Sequence, residues 1–254
     1  MKVTNKLSDQ HLKDLAIQQY EKKKSSRIPT EIIDLVTEGK VYPESHPLRS
    51  GVIEMRYMTA YDEDILTTPS YITKGIALDK LLESLIITDV DLDDISLADQ
   101  NGLIIAARIL SYGKMYPVSV ITPEQTKIET EIDLSQLTTI PLELIPDENG
   151  EFDYTVNDST KIKFRFPRKT DKLDKTSDLL NALITQVNDS RNANDISEFI
   201  RYDFRAADSK KFQTYVTTKS ARLDLSADIE YTTKEGKQET FRAGFQLGAD
   251  LFWF

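Results

Sequence analysis

The side chains with the widest chemical range in this chain are two histidines and a surplus of carboxylates. His11 and His46 are the only imidazoles, and cysteine is absent. Disulfides and thiolate metal sites are therefore excluded, and redox chemistry gives no hint of compartment. His11 lies among charged residues and His46 sits between Ser45 and Pro47. Neither has the short histidine spacing of a zinc site, and adjacency of Ser45 to His46 does not make a hydrolytic dyad. The acids 89-DVDLDD-94 suggest a calcium loop. An EF-hand, however, needs Gly at its sixth place and Glu at its twelfth. Counted from Asp89, those places hold Asp94 and Gln100. A solvated turn ahead of a helix capped by Ser96 is the simpler expectation. Glu63–Asp64 and Asp93–Asp94 are expected at helix starts, where the dipole favours negative charge. No glycine-rich turn opens a helix after a strand, so nucleotide binding has no support. No cofactor and no catalytic or metal-binding residue is assigned.

Composition narrows the partners. The chain has 254 residues, 39% hydrophobic and 29% charged, with 32 Lys and Arg against 42 Asp and Glu, a net charge of −10. That sign disfavours a phosphate-tracking surface, so nucleic acid is not expected as a partner. The one dense basic run, Lys22 to Lys24, falls where a first helix should end and complements its dipole. No apolar run approaches the ~20 residues that span a bilayer. No secretion signal is apparent at the N-terminus, so function in a cytosol, or in a particle assembled there, is expected.

The elements that must position these residues follow from periodicity. Ser8 caps a predicted helix to about residue 24, with Leu12 and Leu15 on its apolar face. From 27 to 50 the prolines at 29, 43 and 47 predict an irregular extended segment. A strand is predicted over 51–57, a helix opening on Thr59 and ending at Pro69, a helix over 73–87, and one from Ser96 to a stop at Gly113. Hairpins are predicted over 115–121 with 128–134, over 152–156 with 161–166, and over 223–231 with 239–247. Between the last two, helices are predicted over 171–192, 196–204 and 209–219. The fold class expected is α+β, a helical N-terminal half followed by a β-hairpin-rich part with a helical insert. The divisions expected are a helical arm (1–26), an extended and helical region (27–113) and the hairpin-rich part (114–254).

An ordered set of residues runs through the first half: Pro29-Thr30-Glu31, Ile32-Ile33-Asp34-Leu35, Gly39, Tyr42-Pro43-Glu44, His46-Pro47-Leu48, Gly51, Glu54-Met55-Arg56-Tyr57-Met58-Thr59, Glu63-Asp64-Ile65-Leu66, Lys74-Gly75 and Leu78-Asp79-Lys80-Leu81-Leu82. In this respect the chain resembles the baseplate hub and hub-assembly proteins of T4-type contractile-tailed phages. The second half matches in texture only. The resemblance implies a non-enzymatic role in building the tail baseplate hub, through contacts with other hub or tail proteins. It implies presence in host cytoplasm during assembly and leaves open a place in the virion and homo-oligomer formation. Some relatives look as though they carry Cys-x-x-Cys at two hairpin tips, a zinc clip. Here Thr122 to Gln125 and Thr232 to Glu235 stand near those places. The implied clip would then be apolar packing without metal.

Candidate partner-binding residues are Leu12 and Leu15 of the first helix, Tyr42, His46 and Leu48 of the extended segment, and the terminal Leu251, Phe252, Trp253 and Phe254. For the last four, a strand end tucked into its own core is the competing reading. Deleting 1–26 is expected to leave the body folded and weaken partner capture. Two other readings stand beside this one: a metal-dependent or small-molecule enzyme with a dispersed acidic site, and a host-encoded adaptor derived from a phage gene.

Overall fold

A computed structural model describes residues 28–171 and 174–252. The first helix, with Leu12 and Leu15, and the terminal Trp253 and Phe254 lie outside the described residues. The architecture is α+β, with helices and small antiparallel sheets alternating along the chain.

Strands β1 (Thr30–Asp34) and β2 (Val52–Arg56) form an antiparallel ribbon, Thr30 opposite Arg56 and Asp34 opposite Val52. The segment 27–50 is therefore not irregular throughout, a correction to the proline-based expectation. Pro29 precedes β1 rather than interrupting it, so the strand keeps every N–H it needs. Leu35, Tyr42 and Leu48 of this segment enter the chain's own core. Between the strands the chain turns at Gly39, where φ is +75° and an added Cβ would stand 2.5 Å from the Leu48 carbonyl oxygen. Only glycine meets both conditions.

Four helices follow: α1 (Ala60–Thr67), α2 (Pro69–Thr73), α3 (Ala77–Leu85) and α4 (Leu97–Tyr112). Pro69 does not merely close α1; it opens α2 at its first turn, where its missing N–H costs nothing. In α3, Ala77, Leu81, Leu82 and Leu85 fall on one face and are buried. Against α4, Gly102 permits close approach, since a Cβ there would meet Val36 Cγ2 at 2.6 Å.

The outer hairpins are β3 (Met115–Ile121) with β4 (Lys127–Asp133), and β10 (Ser226–Thr232) with β11 (Gln238–Gly244). Strands β5 (Thr139–Ile140) and β9 (Arg222–Leu223) join the two regions. Between them lie β6 (Phe152–Asn157), β7 (Thr160–Phe164), α5 (Thr176–Leu183), β8 (Ile184–Val187), α6 (Ala193–Glu198) with a π turn (Phe199–Asp203), and α7 (Ala206–Lys219). The helix predicted over 171–192 is shorter. Its second half is β8, which pairs with β7 to complete a three-stranded sheet. Ile184, Thr185 and Val187 are β-branched, and the ladder offered by β7 overrides the weak helical pattern.

Two hydrophobic cores result. The first joins β2, α1, α3 and α4 to both outer hairpins and to Leu251 and Phe252. The second gathers residues from 142 to 221 around aromatic rings, Phe164 edge-on to Phe212 at 5.3 Å and Phe152 edge-on to Phe166 at 5.0 Å. The cores thus run across the 113/114 division expected from sequence texture. Both hairpins belong with the N-terminal helices, because their inward alternate residues need the apolar face that α4 presents.

Candidate functional site

Among the described residues, two carboxylates and one guanidinium are buried inside the fold. Asp99, in the first turn of α4, is fully buried. Its Oδ1 accepts from Thr37 N–H at 2.9 Å. Its Oδ2 accepts from the hydroxyls of Thr37 (2.7 Å), Tyr42 (2.7 Å) and Ser96 (2.8 Å). Tyr42 Oη accepts in turn from Ser96 N–H at 3.1 Å. Burial and the neighbouring Asp99 charge push the Tyr42 phenol far above its ordinary value, so it donates and does not ionise. The Asp99 carboxylate thus gathers four donors from three chain positions around one acceptor.

Asp62 forms a second knot. It accepts a bidentate pair from Arg56 at 2.8 and 2.7 Å, a bond from Ser84 Oγ at 2.7 Å, and bonds from Thr59 N–H and Oγ1 at 2.8 and 2.9 Å. Burial would raise its pKa, but the Arg56 guanidinium with Ser84 and Thr59 holds it well below the usual carboxylate range. A depressed folded pKa gives stability that is complete above the unfolded value of 3.8 and is lost as pH falls through and below it. We expect Asp62→Asn to cost on the order of 2–3 kcal/mol at neutral pH and progressively less below about pH 4. Chemical denaturation at several pH values checks this, and a penalty that stays constant from pH 7 to pH 2.5 contradicts it.

Arg108, also fully buried, ties three chain segments together. Its Nε, Nη1 and Nη2 donate to the carbonyls of Leu251 (2.9 Å), Gly113 (2.8 Å) and Met115 (3.2 Å). Its guanidinium lies 5.2 and 5.9 Å from the Tyr112 and Tyr116 ring centroids. The C-terminal turn is thereby latched to α4 and to the root of β3.

Five of the nine partner-binding residues expected from sequence lie among the described residues. Tyr42 and Leu48 are buried in the chain's own core rather than on an exposed docking surface, and Leu251 and Phe252 are buried there too, which is the competing reading given for them. Tyr42 serves Asp99, Leu48 closes the turn beneath Gly39, and Phe252 packs edge-on to Tyr112 at 6.3 Å. His46 is half-buried and stacked on Tyr42 at 4.9 Å. Its Nδ1 accepts from Leu48 N–H, which requires a neutral ring, and burial lowers its pKa in the same sense. Its Nε2 lies 3.9 Å from Asp94, which also takes an ion pair from Arg168 at 2.5 Å. Asp94 therefore links the two cores, and Asp91 caps the Leu92–Asp94 turn by accepting from Asp93 N–H. Among the described residues, no cluster of three or more metal-ligating side chains occurs.

The two outer hairpins lie face to face. Inward residues Ile132, Ile229 and Tyr231 and, at the tips, Thr122 and Thr233 are buried, while Val118, Val120 and Ile128 are partly covered. Together the hairpins form a double-hairpin arm. Its tips meet where Glu124 Oε2 accepts from Lys234 N–H at 2.8 Å and Glu124 O accepts from Lys234 Nζ at 3.2 Å. The two turns are built alike. Thr122 Oγ1 accepts from Thr126 N–H, and Thr233 Oγ1 accepts from Lys237 N–H. The third residue beyond each threonine, Gln125 or Gly236, has positive φ. Side-chain and backbone hydrogen bonds join the tips directly, and apolar pairs such as Tyr116 with Phe245 fill the space between the hairpins.

What sequence reading missed is the exposed apolar set. Ile32, Tyr61, Met115, Ile121, Ile145 and Tyr202 are all exposed. For Met115 and Ile121 the signal was present, because they alternate with the inward Tyr116, Val118 and Val120 on β3.

The buried charge is thus spent on holding segments together, and several apolar residues are left exposed. The family model described as T4 bacteriophage base plate protein matches residues 40–245, and the chain belongs to that family. No curated protein and no solved structure matches it. It is thus a phage baseplate family protein, with a structural role among other tail proteins. Among the described residues, no helix is long and apolar enough to cross a membrane.

Proposed function

We propose that the protein acts in the baseplate hub, as a component or an assembly factor, through protein–protein contacts and without catalysis. The observation that carries this reading is the double-hairpin arm. It is clasped at its tip by Glu124 and Lys234 and anchored at its root by Arg108. It also carries Met115 and Ile121 exposed on its outer face, 42% and 65% accessible. A stiff arm loses little conformational entropy on docking, so modest apolar burial at ~25 cal/mol per Å² suffices for a specific contact. The N-terminal residues Leu12 and Leu15, with Trp253 and Phe254, are proposed as further contacts. Host cytoplasm during assembly, and then the tail, are the proposed locations.

The test is co-purification of tagged protein with hub proteins from infected cells, beside mass spectrometry of purified virions. Met115→Asp with Ile121→Asp should leave the circular dichroism spectrum unchanged and reduce hub capture at least ~10-fold, the equivalent of 1.4 kcal/mol. Undiminished capture would remove the arm from the interface. Capture of no hub protein by the wild-type chain would remove the hub role itself.

A further inference from the structure

The edges of the two-stranded ribbons differ in what they offer. On β3 the outward backbone positions are Met115, Pro117, Ser119 and Ile121, a parity set by Leu134 N–H bonding Lys114 O and Thr122 N–H bonding Thr126 O. Pro117 removes an outward donor at the middle of that edge, a device that blocks strand addition. On β4 the outward positions are Lys127, Glu129, Glu131 and Asp133, all charged.

Among the described residues, strand β1 has no proline at an outward position, and its centre is apolar. Leu35 N–H bonds Gly51 O and Tyr57 N–H bonds Pro29 O, so odd residues face β2. The N–H and C=O of Thr30, Ile32 and Asp34 therefore aim away from it. Among the described residues β1 pairs only with β2, and Ile32 at its centre is 63% exposed.

The order of side chains on this edge is self-complementary. Antiparallel pairing of two copies about Ile32 sets Ile32 against Ile32 and Thr30 of each copy against Asp34 of the other. Each hydroxyl can then donate to the opposing carboxylate, while Glu31 falls opposite Ile33. Shifting the centre to residue 31 sets Glu31 directly against Glu31, a destabilising like-charge pair. Shifting it to residue 33 sets Ile32 against Asp34 and loses both hydroxyl–carboxylate pairs.

We propose that the free edge of β1 is a homotypic docking site, at which two copies of this chain join antiparallel about Ile32 as one continuous four-stranded sheet. The contact is isologous and closes as a dimer. Five-residue strands bury only a fraction of the ~1,600 Å² of a standard interface, so the dimer is weak and forms at high local concentration. This goes beyond a role in the hub and is independent of which hub proteins are captured.

Sedimentation of the full chain into the hundreds of micromolar tests it. The wild type should show a reversible monomer–dimer equilibrium. Ile32→Arg, which sets like charges across the axis, should weaken dimerisation at least ~10-fold. Ile32→Pro removes only an outward N–H and should do the same with an unchanged circular dichroism spectrum. Because the chain has no cysteine, Ile32→Cys gives an independent readout. Directly opposed Cα atoms at about 5.5 Å permit a disulfide. Oxidation should link Ile32→Cys copies faster than copies carrying Lys127→Cys on the β4 edge. A wild type that stays monomeric throughout overturns the proposal. So does a dimer insensitive to both Ile32→Arg and Ile32→Pro, or equal crosslinking of the two cysteine variants.

Discussion

Replacing Asp99 by Ala should destabilise the protein by about 3–5 kcal/mol, a large share of the 5–15 kcal/mol that holds a typical domain together. The carboxylate receives Thr37 N–H and the hydroxyls of Thr37, Tyr42 and Ser96 at 2.7–2.9 Å, and Asp99, Thr37 and Ser96 are all buried. Alanine leaves these donors without their acceptor and out of reach of bulk water, at roughly 1–3 kcal/mol for each one stranded. The knot also fastens the Gly39 loop to α4, so both cores lose part of their junction. Tyr42→Phe removes one hydroxyl and should cost about 1–2 kcal/mol. The double variant should cost less than the sum, because the two groups share one network. Urea denaturation of the four proteins measures this. A loss below 1 kcal/mol for Asp99→Ala would show that water or rearranged partners replace the carboxylate.

Replacing Arg108 by Met should cost about 3–5 kcal/mol, with damage focused on the C-terminal turn. Methionine keeps much of the aliphatic length and so isolates the guanidinium's contribution. The carbonyls of Leu251, Gly113 and Met115 lose their charged donor, and the contacts with the Tyr112 and Tyr116 rings go with it. Arg108→Lys should recover less than half, since one ammonium cannot reproduce a planar fork aimed at three carbonyls. Hydrogen exchange separates this from general weakening. Protection at Leu251 N–H, which bonds Gly248 O, should fall before protection in α3. Equal loss in both places would mean that Arg108 supports the core as a whole rather than latching the terminus.

Both residues are invisible to pattern reading for the same reason. Asp99 looks like an ordinary first-turn acid, and Arg108 interrupts an apolar helix face as any surface cation would. Each acquires its role from residues 57 and 143 positions away, Tyr42 and Leu251.

The sequence by itself determined the local elements. The Thr59 cap, the α3 stripe, the start of α4 at Ser96 and the period-two hairpins depend on neighbours within a few residues, so spacing and residue type suffice for them. Cysteine usage and the family-like ordering of Pro, Gly and Tyr were equally legible, since they need no third dimension. Only the tertiary structure decided which surfaces remain. Leu251, Phe252, Tyr42 and Leu48 went inside because Arg108, Asp99 and the core met them there. Residues 184–187 became a strand because β7 offered an unpaired edge. Burial is a property of what the rest of the chain brings alongside, and no local pattern carries it.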